Sequence, residues 1–292
     1  MNIDRIEKVN LLYYDCEQGS SAWIDYRNMF ITGSMVAKII GNNVGQEYKN
    51  LVEEKSSYGK SRTFFGNVAT NWGHKYEPVA SMIFQYEHKV DVYAYGLVHN
   101  PKYPRLAVSP DGITSDNHML EIKCPYSRKI DGHISKEYTN QIQMQMNVCE
   151  IDACHFFECN FTEVDRSRFE EIALGNASPV KRPRTIGIIL RTKEPKSEFN
   201  YYSPIELRDG GLDDFQNWIK YRTEDITESG GQIVNIVYWV LEKFSNQFIK
   251  RDEKWYENYH TKFSKFWNYV DEAKGRSPPQ TKKQTAGVCF LP

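Results

Sequence analysis

The sequence predicts an α/β fold, with a mixed central β-sheet of about five strands flanked by helices and an insertion in its middle. Three observations lead to it. Residues 67–88 place Val68, Trp72, Tyr76, Val79, Ala80, Ile83 and Phe84 at steps of three and four, the period of a helix with one buried face. Residues 90–126 alternate short β-rich runs with turn residues. Residues 153–161 form an apolar run of strand length.

The elements follow in order. Trp23, Tyr26, Arg27 and Phe30 open an amphipathic segment. Ile31-Thr32-Gly33-Ser34 then precedes Met35, Val36, Ile39 and Ile40, a helix with Ser34 as N-cap and Gly41 as its stop. Residues 44–66 are polar and read as a short helix and loop. Pro78 inside the 67–88 pattern predicts a kink or a fresh helix start. Val90–Leu97, Arg105–Pro110 and Met119–Lys123 read as a meander, its last turn at Ser115-Asp116-Asn117-His118. Residues 135–149 form a helix rich in amides: Asn140, Gln141, Gln143, Gln145 and Asn147. Residues 164–235 carry Pro179, Pro183, Pro195 and Pro204, the cluster Lys181-Arg182-Pro183-Arg184 and a helix from Leu212 to Tyr221. Strands at Val234–Leu241 and Gln247–Lys250 and a long aromatic helix from Asp252 to Ala273 complete the pattern. The resulting division is a core over 1–163, an insertion over 164–235, strands and helix completing the core over 236–274, and a loose tail over 275–292.

Of 292 residues, 40% are hydrophobic and 26% charged, which excludes wholesale disorder and a fibrous repeat. No apolar run approaches the roughly 18 residues that cross a bilayer, and Met1–Asn10 has no apolar core of a signal peptide. The net charge of -1 means that a nucleic-acid partner must be held by a local patch. Six cysteines without a CxxC pair read as reduced thiols of an intracellular protein. The even spacing of Cys149, Cys154 and Cys159 suits neither helix nor strand as a metal cluster.

The chemistry concentrates in Ser109-Pro110-Asp111-Gly112 and, further on, Glu121-Ile122-Lys123. Side chains two apart on a strand share a face, so Glu121 and Lys123 project together. The midpoint of 111 and 121 falls in the predicted turn, and a hairpin folded there sets Asp111 opposite Glu121. Two carboxylates so close repel unless a hard divalent cation joins them. With oxygen donors only, Mg²⁺ or Mn²⁺ fits, and Lys123 beside it suits phosphoryl chemistry. The ordinary alternative is a surface hairpin with a cross-strand salt bridge. Leu120, Ile122 and Cys124 alternate with the charges, however, as on a core strand, and inward charges demand a partner. Glu77 on the preceding helix is a third candidate carboxylate. Gln141, Met144, Gln145 and Tyr138 share a helix face. Arg27 suits bidentate phosphate contact, Ser34 lies at a helix N-terminus with free N–H groups, and Arg128, Lys129, Lys136 and Lys181–Arg184 are candidates for a phosphate track.

These residues together carry a resemblance. Gly66–Glu77, Ser109–Gly112, Leu120–Tyr126 and Tyr138-x-x-Gln141-x-Gln143 follow the order and spacing of the lambda-type exonucleases, the YqaJ-like viral recombinase nucleases of the PD-(D/E)XK superfamily. The match extends back to Gln18-Gly19-Ser20-Ser21-Ala22-Trp23 and resumes at Arg251-Asp252-Glu253-Lys254; residues 164–235 have no clear counterpart. The resemblance implies a restriction-endonuclease-like core and a metal-dependent 5′→3′ exonuclease on double-stranded DNA that leaves 3′ overhangs for recombination, repair or viral genome processing. It implies Asp111, Glu121 and the Ile122 carbonyl as ligands of one or two Mg²⁺ ions, Mn²⁺ substituting, with Glu77, Lys123 and Gln141 completing the catalytic set. It implies Arg27, Ser34, Ser109 and either Arg128 or Lys129 at a terminal 5′-phosphate. A single-strand annealing protein and a homo-oligomer are the implied partners, with no membrane, and the setting is intracellular, host cytoplasm or nucleus for a virus. An endonuclease or RNA-degrading nuclease of the same superfamily, and a non-catalytic DNA-binding protein on that fold, stay open.

Overall fold

Apolar side chains at helical steps and at alternate strand positions sort the chain into two sheets and the helices that cover them. The computed structural model describes residues 5–14, 20–41, 45–57, 67–176, 184–193 and 198–276. In chain order, α1 (Arg5–Leu12), β1 (Tyr13–Tyr14), α2 (Ser21–Arg27), α3 (Gly33–Ile40), α4 (Gln46–Ser56) and α5 (Val68–His88) come first. Short strands follow: β2 (Val92–Tyr93), β3 (Leu97–His99), β4 (Ala107–Val108), β5 (Gly112–Thr114) and β6 (Met119–Lys123). Then come α6 (Lys136–Cys149), β7 (Ala153–Val164), α7 (Arg166–Asn176), β8 (Ile186–Lys193) and β9 (Glu198–Tyr202). A 3-10 turn (Ile205–Asp209), α8 (Leu212–Glu228), β10 (Gln232–Lys250) and α9 (Trp255–Arg276) complete the series.

The larger sheet has seven strands in the order β2-β5-β6-β7-β10-β8-β9, and the smaller has three in the order β1-β3-β4. In the larger sheet only β6 and β7 run parallel; every other neighbouring pair is antiparallel. A parallel pair needs a crossover, and α6 supplies it. The expected meander over 90–126 therefore splits: β2, β5 and β6 enter the larger sheet, β3 and β4 the smaller. Residues 164–235 supply β8 and β9, which widen the sheet beyond β10. The two C-terminal strands read from the sequence are one 19-residue strand. Its interruption at Glu242 is a bulge against β7, between Leu241 and Lys243, which keeps the strand continuous through a charged stretch.

Strand alternation divides the core. Leu120, Ile122, Phe157, Cys159 and Phe161 pack with Tyr76, Val79, Ala80, Ile83 and Phe84 of α5. Met119, Cys154 and Phe156 point the other way, to Ile142, Met144 and Met146 of α6, and α3 and α9 complete that layer. A third cluster joins α7, α8 and β8 through Phe169, Phe215 and Ile188. Each fully buried side chain of this size contributes roughly 1.5–3 kcal/mol. Pro78 does not break α5, which runs unbroken for 21 residues. Lacking an N–H, Pro78 frees the carbonyl of His74, one turn before it. Cys124, Cys149, Cys154 and Cys159 are buried free thiols, and burial pushes the Cys149 thiol up to about 12.

Candidate active site

The site begins with a turn. Thr114 N–H donates to the His118 carbonyl at 2.8 Å and Asn117 N–H to the Thr114 carbonyl at 2.9 Å. Asn117 adopts φ 66°, a left-handed conformation that asparagine tolerates. The register that follows pairs Ile113 with Met119 and Gly112 with Leu120. Asp111, the next residue out, therefore lies opposite Glu121, and its Oδ2 accepts the Ile122 N–H at 2.7 Å. Gly112 is required by crowding: a Cβ there would lie 2.3 Å from Val92 Cγ1.

Glu121 is fully buried on the face that α6 covers. The Lys123 ammonium donates to its Oε1. Gln141 Nε2 donates to Oε1 at 2.6 Å, and Gln145 Nε2 to Oε2 at 2.8 Å. Gln145 Nε2 also lies 3.5 Å from the Ser109 carbonyl. The two glutamines are one helical turn apart, so one face of α6 grips both carboxylate oxygens. The remaining amides have another task. Gln143 Nε2 donates to the Lys250 carbonyl at 2.9 Å and its Oε1 accepts the Asp252 N–H at 2.7 Å. Asn147 Nδ2 reaches the Asp252 carbonyl at 3.2 Å, and Asn140 Oδ1 accepts the Trp255 indole N–H at 3.1 Å. α6 thus holds Glu121 with one set of amides and the β10–α9 junction with the other.

Burial, with the charge of Glu121, holds the Asp111 carboxyl well above the usual range; Lys123 and the Ile122 N–H oppose this. Burial alone would depress the Lys123 ammonium, but the charges of Glu121 and Asp111 reverse that and raise it above its ordinary value. Glu77 lies on α5, which packs against the opposite face of β6. It reaches the end of the strand in a cleft of about 250 Å³ lined by His74, Glu77, Lys123, Tyr126, Arg128 and Tyr138, among others. Burial raises its carboxyl too. Among the described residues, no group of three or more His, Cys, Asp or Glu side chains is arranged to hold one ion. Glu77 stands near the Asp111–Glu121 pair without closing such a group, because its helix covers the other side of the strand.

The candidate phosphate residues fall in two places. Arg27, at the end of α2, donates from Nη2 to Thr32 Oγ1 at 3.2 Å and stands 5.3 Å from the Trp23 ring. Thr32, not Ser34, is the N-cap of α3, and its side chain makes no capping bond; that hydroxyl is engaged by Arg27 instead. Ser34 is exposed at the second helical position. Gly33 brings α3 against α6: a Cβ there would lie 3.1 Å from Gln141 Cγ. Gly33, next to Ser34, thus borders Gln141, the Ser109 carbonyl borders Gln145, and Arg27 reaches this side through Thr32. Arg128 and Lys129 lie beyond Lys123 on the loop after β6. Arg128 donates to Glu158 and stands 6.0 Å from the Tyr138 ring, which carries Lys123 at 5.3 Å on the same scale. Lys129 and Lys136 are exposed. Residues 181–183 of the basic cluster, Gln18, Gly19 and Gly66 lie outside the described residues, and Arg184 pairs with Glu242 at 3.0 Å.

Two residues beside the site escaped the sequence reading, whereas Gln145, placed there on the Gln141 face, binds Glu121 with it. Lys55 is fully buried on α4, and its Nζ donates to the Arg27 carbonyl at 3.1 Å. Glu158, fully buried on β7, stands between Phe157 and Cys159 in a largely apolar run, which was its mark.

Residues 22–152 match the model of the YqaJ-like viral recombinase domain. An uncharacterized protein of Acanthamoeba polyphaga mimivirus is 27% identical over 292 aligned positions, which cover 87% of this chain and 52% of that protein. The chain therefore spans about half the length of this curated relative. The structure resembles an alkaline exonuclease of Laribacter hongkongensis, LHK-Exo, with a TM-score of 0.54, 19% identity, and coverage of 88% of this chain and 95% of that one. LHK-Exo in complex with dAMP gives a TM-score of 0.53 at 18% identity, with the same coverage. The curled mixed sheet flanked by helices is the fold of these exonucleases, and over residues 22–152 the chain resembles the YqaJ-like viral recombinase domain.

Proposed function

We propose that the chain is a divalent-metal-dependent exonuclease that hydrolyses phosphodiester bonds of double-stranded DNA from a 5′ end and leaves a 3′ overhang. The domain and the fold support a nuclease of this family. The observation that carries the finer reading is the hairpin: Asp111 opposite Glu121, with the Lys123 ammonium hydrogen-bonded to Glu121. LHK-Exo has been seen with dAMP, a deoxynucleotide of the kind such a reaction releases.

The donor set fits a hard cation. Among the described residues Asp111 accepts the Ile122 N–H through Oδ2, all candidate donors are oxygens, and two facing carboxylates otherwise repel. Asp111, Glu121 and the Ile122 carbonyl would hold the ion, which supplies Lewis-acid stabilisation of the phosphate and acidifies attacking water. Lys123 offers a fixed positive charge to the pentavalent phosphate. Gln141 and Gln145 fix the plane of the Glu121 carboxylate. Arg27, Ser34 and Ser109 on one side, and Arg128 or Lys129 on the other, receive the 5′-phosphate. α3 brings to that place a helix N-terminus whose cap side chain makes no capping bond.

The test compares 5′-phosphorylated, 5′-hydroxyl and closed circular duplexes and single-stranded RNA, each with Mg²⁺, Mn²⁺ or EDTA. Release of mononucleotides from linear duplex, fastest with a 5′-phosphate and stopped by EDTA, is expected. Cutting of the closed circle makes the protein an endonuclease, and preference for RNA moves it to that substrate. A protein inert with both metals is a DNA-binding module on a nuclease fold.

A further inference from the structure

Glu158 belongs to neither the acid pair nor the phosphate residues, yet it stands beside both. On β7 it is the register partner of Lys123 across the parallel pair, so it shares the sheet face that carries Glu121 and Lys123. A fully buried carboxylate needs compensation. One oxygen receives Arg128 Nη2, while Oε2 has no hydrogen-bond partner among the described residues. A buried acid between Phe157 and Cys159 calls for a reason beyond packing.

The loop that carries Arg128 supplies one. Asn160 Nδ2, two residues on along β7, lies 3.5 Å from the Pro125 carbonyl and 3.4 Å from that of Arg128. Lys243 Nζ of β10 donates to the Ile130 carbonyl at 2.8 Å. Residues 125–130 are thus fixed to the sheet by Asn160 and Lys243 through the backbone, and by Glu158 through a side chain. The Arg128 side chain is itself 39% exposed and lines the cleft with Lys123 and Tyr138. Its Nη1 also donates to the Lys129 carbonyl at 3.3 Å, and it faces the Tyr138 ring. A guanidinium carries five N–H donors in a planar fork, so donors remain for a second oxyanion. A free arginine at such a place samples many rotamers; tethered from beneath by a buried charge, it presents its fork in one orientation.

We infer that Glu158 is a positioning residue that holds Arg128 in the cleft to grip the terminal phosphate of a 5′-phosphorylated DNA end, and so assigns that contact to Arg128 rather than Lys129. The inference rests on the exonuclease reading above and goes on to its end specificity. Glu158 itself touches no substrate. Its effect passes through Arg128 and appears in how the two kinds of 5′ end are distinguished.

The experiment measures kcat and KM on 5′-phosphorylated and 5′-hydroxyl duplexes for the wild type, E158Q, R128A, K129A and the double variant E158Q/R128A, with thermal melts alongside. Expected is a fall of about tenfold in the 5′-phosphate to 5′-hydroxyl ratio for both R128A and E158Q, carried by KM on the phosphorylated end. The double variant should be no worse than R128A, as for residues that act as one unit, and K129A should keep the ratio. If R128A loses the preference while E158Q slows both substrates by the same factor, or the two effects add, Glu158 is a packing residue and the inference falls while the end-binding reading stands. If R128A keeps the preference, both the inference and this part of the end-binding reading fail. Should E158Q not fold, E158D, which withdraws the same charge by one methylene, gives the same comparison.

Discussion

Replacement of Lys55 by methionine has an effect whose sign reverses with pH. The lysine is fully buried. Burial, then the nearby charge of Arg27, lowers its pKa from 10.5 to about 7, with Glu54 opposing and Lys274 adding to the fall. The folded protein therefore holds this proton less tightly than the unfolded chain does. Stability is lowered fully below about pH 7 and recovers as pH rises toward 10.5. A displacement of that size corresponds to roughly 5 kcal/mol. Methionine keeps the apolar stem and abolishes the charge, but it removes the charged hydrogen bond to the Arg27 carbonyl, which keeps the Phe30 N–H at 3.2 Å, a loss of about 1–3 kcal/mol. The variant should thus be more stable than the wild type at pH 7, by about 2 kcal/mol after that loss. By pH 10 most of the charge burden has gone, and the variant should be the less stable of the two. Urea unfolding of both proteins at pH 7 and pH 10 measures this, the other titrating groups cancelling in the difference. A stability difference that does not change between these pH values refutes the reasoning, because it would mean that Lys55 titrates normally in the fold.

Three further outcomes are expected. Asp111→Asn should abolish cleavage while raising the melting temperature, since burial and Glu121 hold the folded carboxyl above its usual range; cleavage retained by that variant removes the hairpin from the chemistry. Gly112→Ala should destabilise by about 1–3 kcal/mol by overpacking, because the new methyl meets Val92; an unchanged denaturation midpoint contradicts that contact. His155 is half-buried beside His118 and His88, at ring separations of 5.4 and 5.6 Å. Burial holds its pKa below the ordinary 6.5, with the neighbouring charges of His118 and His88 acting the same way, Asp116 opposing them and the Asn246 contact partly offsetting. Its contribution is thus complete above 6.5 and lost as pH falls toward the folded value, so His155→Phe should flatten the decline of melting temperature between pH 7 and 5; parallel declines would exclude it.

What the sequence discloses and what it conceals follow from where the determining forces lie. The hairpin was legible because its information is local: a polar turn at 115–118, flanking alternation, and a glycine after Asp111 define a register without reference to the rest of the chain. α5 and α6 were legible from their period. β8 was not, because Ile186–Leu190 is buried between β10 and β9 and shows no alternation, and prolines on either side read as loop. Ser34 looked like a cap on composition, whereas Thr32 takes that position and lends its hydroxyl to Arg27. Lys55 lies in QEYKNLVEEKS, a stretch that reads as a solvated helix; only the packing of α4 against α9 and the reach of its Nζ to the end of α2 show that it is interior. Glu158 is equally silent, since its partner stands 30 residues earlier.

The divided amides of α6 have a mechanical consequence. Gln143 anchors to a carbonyl 107 residues further along the chain, and Gln141 and Gln145, on the same rigid rod, clasp the central acid. Torque applied where β10 turns into the last helix is delivered, within one or two turns, to the carboxylate at 121. Amputating α9 would remove the Trp255 bond to Asn140 and the apolar packing on α6, leaving the rod that clasps the acid less firmly seated.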